Sequence, residues 1–296
     1  MNKLVLIAMM VTSAACQQDT KNLERKIDDL TKNQAKMMDM LAKGGGAGAG
    51  AGQQRPQRAE PDRAKTYAVS VDGNGFDGPA DAKVTLVKAY DYACPYCEKV
   101  RDTMTELRKK YDKDLRIVSK PMVVHPKNAT AGALGYCAAN KQGKGKEFDN
   151  LIWDKGFKAR QLDNSDVAPA EAAPGQPAAA GQTQKCWDTA AGCPLVVGYA
   201  QELGLNMDKF KADMKGACQA QLQKDLKDLQ QLGVGATPSF FVNGRFISGA
   251  MPIENFSTLI DEELKKANER IQQGTAAADY YKTWVMEKGL KQLEKS

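Results

Sequence analysis

Val84-Thr85-Leu86-Val87-Lys88-Ala89-Tyr90-Asp91-Tyr92-Ala93-Cys94-Pro95-Tyr96-Cys97 decides the reading of this chain. Its first four residues are β-branched or aliphatic and predict a buried strand. Beyond the second cysteine, Val100, Met104 and Leu107 share one helical face, so Pro95 to about Lys110 reads as helix. Two cysteines two residues apart, where a strand gives way to a helix, form a redox motif for a mechanical reason. Pro95 suits the first helical turn. Cys94 then lies at the helix N-terminus, where free N–H groups and the positive end of the dipole stabilise a thiolate. Cys97 lies one turn inside, close enough to attack a mixed disulfide formed at Cys94. The pattern assigns Cys94 as exposed nucleophile and Cys97 as buried resolving thiol. Competing uses fit less well. A permanent disulfide needs no strand-to-helix context. A zinc site needs a second Cys-x-x-Cys, and c-type haem attachment needs a histidine where Glu98 stands.

The 296 residues carry seven cysteines and one histidine, His125. One histidine excludes multi-histidine zinc sites and more than one His-dependent triad. The redox chemistry needs no metal and no cofactor. His125, in Val123-Val124-His125-Pro126, reads as a structural residue bonding nearby backbone. With 42 basic and 36 acidic residues interspersed, the net charge of +6 speaks for solubility and gives no argument for nucleic acid.

Lys3, the apolar run Leu4 to Val11 and the small residues before Cys16 describe a secretory signal over 1–15, too short to span a bilayer. Ser13-Ala14-Ala15-Cys16 resembles a bacterial lipobox, with Ser13 where that motif usually carries leucine. Lipidation at Cys16 would explain the odd cysteine and give a membrane anchor. The mature chain is then expected in the periplasm or cell envelope, where disulfides persist. Residues 16–43 read as a coiled-coil helix. Leu23, Ile27, Leu30, Gln34, Met37 and Leu41 make about three heptads over 18–43, which suggests a homo-oligomer. Residues 44–66, rich in glycine and alanine and then Gln, Pro and charges, read as a flexible linker.

The folded domain is expected over 67–296. A second strand is read over Leu115 to Val124, then helices at Thr130–Asn140, Glu147–Phe157, Pro194–Leu203, Met207–Met214 and Gln219–Leu232. Residues 159–193 read as an irregular, mobile loop, because Val167 to Gln184 is dominated by Ala, Pro, Gly and Gln. Ser239–Val242 and Arg245–Ser248 flank Asn243-Gly244, a strong hairpin signal. Helices at Ile253–Ile271 and Asp279–Leu293 complete the chain. A βαβ half followed by a ββα half is a thioredoxin-like α/β pattern, with a helical insertion over about 125–232. In such folds a proline at the position of Pro238 is cis and packs beside the two cysteines. The backbone of Thr237 could then pair with an extended substrate segment.

The chain resembles the DsbA-like thiol:disulfide oxidoreductases of bacterial envelopes. The matching stretches are Ala82 to Val87, Asp91 to Cys97, His125-Pro126, Gly233 to Gly244 and Ser248-Gly249-Ala250. The resemblance implies a thioredoxin fold with an inserted helical subdomain. It also implies formation or reshuffling of disulfides in unfolded or misfolded exported proteins, with a membrane redox partner. Pro95, Tyr96, Thr237, Pro238 and Lys88 would support the active site. Two positions depart from the family. Lys88 stands six residues before the nucleophile, where an acid is usual, and either favours the thiolate or finds an acid or solvent of its own. Tyr96 stands where strongly oxidising relatives have histidine, and brings no imidazolium. Together they place the expected reduction potential between ~−270 and ~−120 mV.

Cys137, Cys186, Cys193 and Cys218 remain, and four cysteines allow three pairings. Cys186–Cys193 and Cys137–Cys218 are expected as structural disulfides, pinning the base of the loop and the subdomain. The competing function is a non-catalytic lipoprotein chaperone or binding module on the same fold.

Overall fold

The computed structural model describes residues 60–162, 166–169 and 183–293. The expected signal peptide, Cys16, the 16–43 helix and most of the 44–66 linker lie outside the described residues, as do 170–182 within the expected loop.

The Val84-rich stretch forms β2, Val84–Tyr90, and Leu115–Pro121 forms β3, its parallel neighbour. Gly75–Asp77, which carries no strand signal of its own, pairs antiparallel with β3 as β1. Ser239–Val242 (β6) and Arg245–Ser248 (β7) form the expected hairpin, and β6 lies antiparallel on β2. The sheet order is therefore β1-β3-β2-β6-β7. Asn243 and Gly244 both take positive φ, 43° and 85°, as a type I′ turn demands. A Cβ at Gly244 would also strike the Tyr67 carbonyl.

Alternation along the strands sends side chains to two cores. Val84, Leu86, Phe240 and Val242 face Met104, Leu107 and Tyr111 on one side, with Phe256 and Ile260. Val87, Ala89 and Phe241 face Tyr67, Val69, Leu229 and Tyr281 on the other. Each fully buried aliphatic or aromatic side chain here contributes ~1.5–3 kcal/mol.

The helix expected over Pro95 to Lys110 is two helices, α1 (Pro95–Lys99) and α2 (Arg101–Tyr111). Val100 (φ −84°, ψ −4°) caps the first and opens the second. The second strand stops at Pro121, three residues before the expected Val124. Proline lacks the N–H that would extend the ladder.

Between β3 and β6 lie α3 (Thr130–Asn140), α4 (Gly145–Leu151), α5 (Pro194–Glu202), α6 (Met207–Lys215) and α7 (Ala217–Gln231). They enclose a third core around Phe148, Trp153, Val196 and Phe210. Gly135 is needed there because a Cβ would meet the Phe148 ring at 2.6 Å. Cys137 and Cys218 are bonded, joining α3 to α7 across 81 residues of sequence, and Cys186 is bonded to Cys193. Closing a loop of that length stabilises the fold by ~4 kcal/mol in the chain-entropy account.

The described residues of the 159–193 stretch include regular structure. Val167–Pro169 (β4) and Thr183–Lys185 (β5) pair antiparallel, and a 3-10 turn covers Cys186–Asp188. Asp166, fully buried, accepts hydrogen bonds from the backbone N–H of Thr130 and Ala131, each at 2.8 Å, and so caps α3 from outside the helix. Beyond α8 (Ile253–Gln272) the expected second helix is a short turn at Ala277–Asp279 and a wide turn at Tyr281–Met286. Tyr281 and Val285 are buried against the sheet, and Leu290 bonds backbone to Thr66 and Ala68 at 2.9 Å. Docking on the sheet sets the end of the chain, in place of helical periodicity.

Candidate active site

β2 runs directly into the turn Asp91–Ala93 and delivers Cys94 as the N-cap of α1, with Pro95 in its first turn. The Cys94 carbonyl accepts from the N–H of Cys97 at 3.1 Å and of Glu98 at 3.2 Å. Cys94 and Cys97 are free thiols. Thr237-Pro238, just before β6, is a cis peptide, and the Cys94 thiol donates to the Thr237 carbonyl at 3.3 Å. The fold thus brings Cys94, Cys97, Thr237 and Pro238 together from two segments far apart in sequence.

Cys94 was expected exposed, and the structure differs. Only 4% of the residue is accessible, against 3% for Cys97 and 64% for Tyr96 between them. The reason is packing. The Thr237 carbonyl lies on the sulfur, and both cysteines join the apolar core of the helical subdomain.

The two thiols differ sharply in acidity. Cys94 is lowered to about 5, first by a hydrogen bond from the Cys97 thiol, then by Thr237 and the backbone N–H of Cys97 and Tyr96. Burial opposes these and is outweighed. Cys97 is pushed far up, first by burial and then by its hydrogen bond to Cys94. The Thr237 hydroxyl is buried without a hydrogen-bond partner, so its proton is available once a thiolate forms. The arrangement can hold a thiolate at Cys94 and a thiol at Cys97 at the same pH. The Cys94 side chain makes no capping hydrogen bond to the five-residue α1, and the Cys97 and Tyr96 N–H groups favour the thiolate once the proton has left.

A family model described as "Thioredoxin" matches residues 72–262, more than half of the chain. The chain belongs to the thioredoxin family. Its thioredoxin domain is 25% identical over 205 residues to "Disulfide bond formation protein D" of Bacillus subtilis, covering 66% of this chain and 79% of that protein. It is 30% identical over 198 residues to the Na(+)/H(+) antiporter NhaA 1 of Salinispora arenicola, covering 65% of this chain and 25% of the antiporter. The chain spans about a quarter of the length of the antiporters it matches. In structure it superposes on alpha-DsbA1 of Wolbachia pipientis with a TM-score of 0.51 at 15% identity, covering 69% of this chain and 96% of that one. The likeness read from the sequence to the DsbA-like group of this family therefore holds at the level of fold and family.

Within the thioredoxin domain, Lys88 has an acid of its own. Its Nζ lies 3.8 Å from Asp149 Oδ2 on α4 and 4.6 Å from the centre of the Tyr90 ring. Asp149 Oδ1 accepts from the Tyr92 hydroxyl at 2.7 Å, and Tyr92 meets Tyr90 at 3.1 Å. A cleft of about 710 Å³ gives the Lys88–Asp149 pair access to solvent. The subdomain thus returns an acid to the neighbourhood from which the strand lacks one.

His125 bonds a carboxylate, where backbone was expected. Its Nδ1 lies 3.1 Å from Asp91 Oδ1, while its own N–H and that of Val124 donate to Asp91 Oδ2 at 2.8 and 2.6 Å. Asp91 Oδ1 also accepts from Ala93 N–H at 2.7 Å. Asp91, fully buried three residues before Cys94, ties the active-site turn to the segment after β3. Sequence reasoning missed Asp91 and Asp149. For Asp91 a signal existed, because an aspartate two residues before a backbone N–H favours a local turn. For Asp149 there was none.

Proposed function

We propose that the chain is an extracytoplasmic thiol:disulfide oxidoreductase working through Cys94 and Cys97. The observation that carries this is the split in acidity between two sulfurs in one turn. In the oxidising direction a client thiolate attacks Cys94 Sγ of the Cys94–Cys97 disulfide. The intramolecular S–S bond breaks, its electron pair passes to Cys97, and Cys97 takes up a proton. A second client thiolate then attacks the client sulfur of the mixed disulfide, and Cys94 leaves as thiolate. The client loses two electrons and the enzyme gains them as one thiolate and one thiol. A leaving group with a pKa of about 5 departs readily at neutral pH. A thiol held as far up as Cys97 stays protonated and resolves mixed disulfides only when its proton is removed.

Pro95, Tyr96, Thr237 and Pro238 support the site: Pro95 opens α1, and the Thr237 backbone offers an edge for an extended client. Unfolded exported proteins are the clients, and a membrane partner withdraws the electrons. A signal over 1–15, lipidation at Cys16, a periplasmic or envelope location and oligomerisation through 18–43 belong to the same reading and rest on the sequence. Among the described residues no helix is long and apolar enough to cross a membrane. A pure binding module would have no use for a thiolate stabilised beside its own resolving thiol.

Paired assays on the full chain test this: oxidation of a reduced client and refolding of a scrambled one. Cys94→Ala should abolish both. A Cys94→Ala protein with full activity would overturn the proposal.

A further inference from the structure

A cleft of about 400 Å³ borders the start of α1, and neither Thr237 nor Pro238 lines it. Ala93 and Pro95 line it from the Cys94 turn, Asn128 from the segment before α3, and Phe157, Leu162 and the exposed Lys158 and Arg160 from a second wall. The second wall is made by an unusual piece of backbone. After α4 the chain makes a wide turn over Ile152–Phe157, and Lys158 N–H bonds the Trp153 carbonyl five residues back at 3.2 Å. Gln161 N–H reaches Gly156 at 2.8 Å, and Arg160 takes a left-handed φ of 54°. A non-glycine residue in that region costs ~1 kcal/mol and persists where its surroundings over-determine it. Wide turns of this type are frequent at functional sites.

The ionisable groups lining the cleft are both cations, with no carboxylate among them. Lys158 is shared with Asp154 at 3.2 Å and Glu98 at 3.9 Å. Arg160 is exposed, and its side chain has no ion pair or hydrogen bond among the described residues. An apolar floor, an uncommitted guanidinium and a position one residue from the reacting sulfur belong to one surface.

We infer that this cleft is a docking subsite for the client segment flanking the reacting cysteine. The inference rests on the oxidoreductase reading and adds the chemistry of the client to it. The occupant is an extended segment of an unfolded protein, with an apolar side chain on Phe157 and Leu162 and a carboxylate at Arg160. Pro95 directly follows Cys94, and an extended chain advances ~3.3 Å per residue, so the apolar residue lies within about two positions of the client cysteine. The volume falls within the ~300–1,000 Å³ of ordinary ligand sites and admits one large side chain with its neighbour. An exposed charge of this kind acts on selectivity and encounter rate more than on raw affinity.

The test uses the full chain, oxidised at Cys94–Cys97, and four dithiol peptides with Cys-Leu-Glu, Cys-Leu-Gln, Cys-Leu-Lys or Cys-Ser-Gln at one cysteine. Oxidation of the acidic peptide should exceed that of the basic one by on the order of five-fold, and less at high salt. Arg160→Glu should level or invert that ratio, and Arg160→Lys should keep it. Phe157→Ala should reduce the preference for leucine over serine at the middle position. Each readout is a ratio on one protein, so partial loss of fold cannot imitate it. The same ratio in wild type and Arg160→Glu would overturn the inference while leaving the oxidoreductase reading intact. Failure to oxidise the Cys-Leu-Gln peptide would overturn both.

Discussion

At Cys94 a proton leaves near pH 5 that an ordinary thiol keeps to about 9.0. Linkage turns this into stability. The folded value lies below the unfolded one, so the reduced protein gains stability as pH rises from about 5 to about 9, keeps it above, and loses it as pH falls through 5. The oxidised protein lacks this titration. Ultraviolet thiolate absorbance should therefore show a midpoint near 5 in the reduced protein, and denaturant midpoints of the reduced form alone should rise over the same window. A thiolate midpoint at the ordinary value would overturn the assignment. The Thr237 hydroxyl, buried and unpartnered, should be one of the donors. Thr237→Val should raise the midpoint by about one pH unit, the worth of one hydrogen bond to a charge, and Thr237→Ser should restore most of it. An unchanged midpoint in Thr237→Val would leave the backbone N–H groups and Cys97 as the whole cause. The sulfurs and Pro238 were legible because motif and spacing are local. The Asp149 partner of Lys88 was not, because only the packing of α4 on β2 brings it there.

Between elements, one buried ion pair ties the sheet to the helical subdomain. Lys120 on β3 and Asp225 on α7 are both fully buried, and the lysine also donates to the Ser70 carbonyl at 3.0 Å. Asp225 accepts from Asn74 at 2.7 Å and Gln221 at 2.9 Å, so its lone pairs are used. Removing Asp225 leaves a buried ammonium whose remaining carboxylate partner, Asp228, is 3.7 Å away and partly exposed. Asp225→Ala should cost about 3–5 kcal/mol, whereas the apolar double variant Lys120→Met with Asp225→Leu should come out near neutral. Thermal and denaturant unfolding measure both, and an Asp225→Ala protein as stable as wild type would mean the pair is hydrated. The elements that this pair joins were mostly readable. Strand β2 was legible as a β-branched apolar run, β6 and β7 as apolar runs around Asn243-Gly244, and α8 as a one-sided 3.6-residue stripe, while α3 is buried nearly all round. The break at Val100, the strand at Gly75–Asp77 and the β4–β5 ribbon lack such a pattern, because sheet edges, helix joints and disulfide-anchored loops are set by contacts remote in sequence.

The reduction potential belongs to the whole molecule, since it is the free-energy difference between its dithiol and disulfide forms. Every interaction that stabilises the Cys94 thiolate stabilises the reduced form and makes the protein more oxidising. A thiolate pKa of about 5 lies between the ~7 of thioredoxin and the ~3.5 of DsbA. The two departures read in the sequence do not move it to either extreme. Lys88 is compensated by Asp149, so no bare ammonium adds to the stabilisation of the sulfur. Tyr96 turns 64% of its surface to solvent and supplies no cation. What remains is hydrogen bonding from Cys97, Thr237 and two backbone N–H groups, which any folded copy of the domain retains. The potential should therefore fall between ~−270 and ~−120 mV, where each 30 mV corresponds to about 1.4 kcal/mol. Equilibration against glutathione buffers, with alkylation to count free thiols, measures it directly. A value more negative than that interval would mean the thiolate is not stabilised in the whole protein, and a less negative one would require a cation that the active-site turn does not contain.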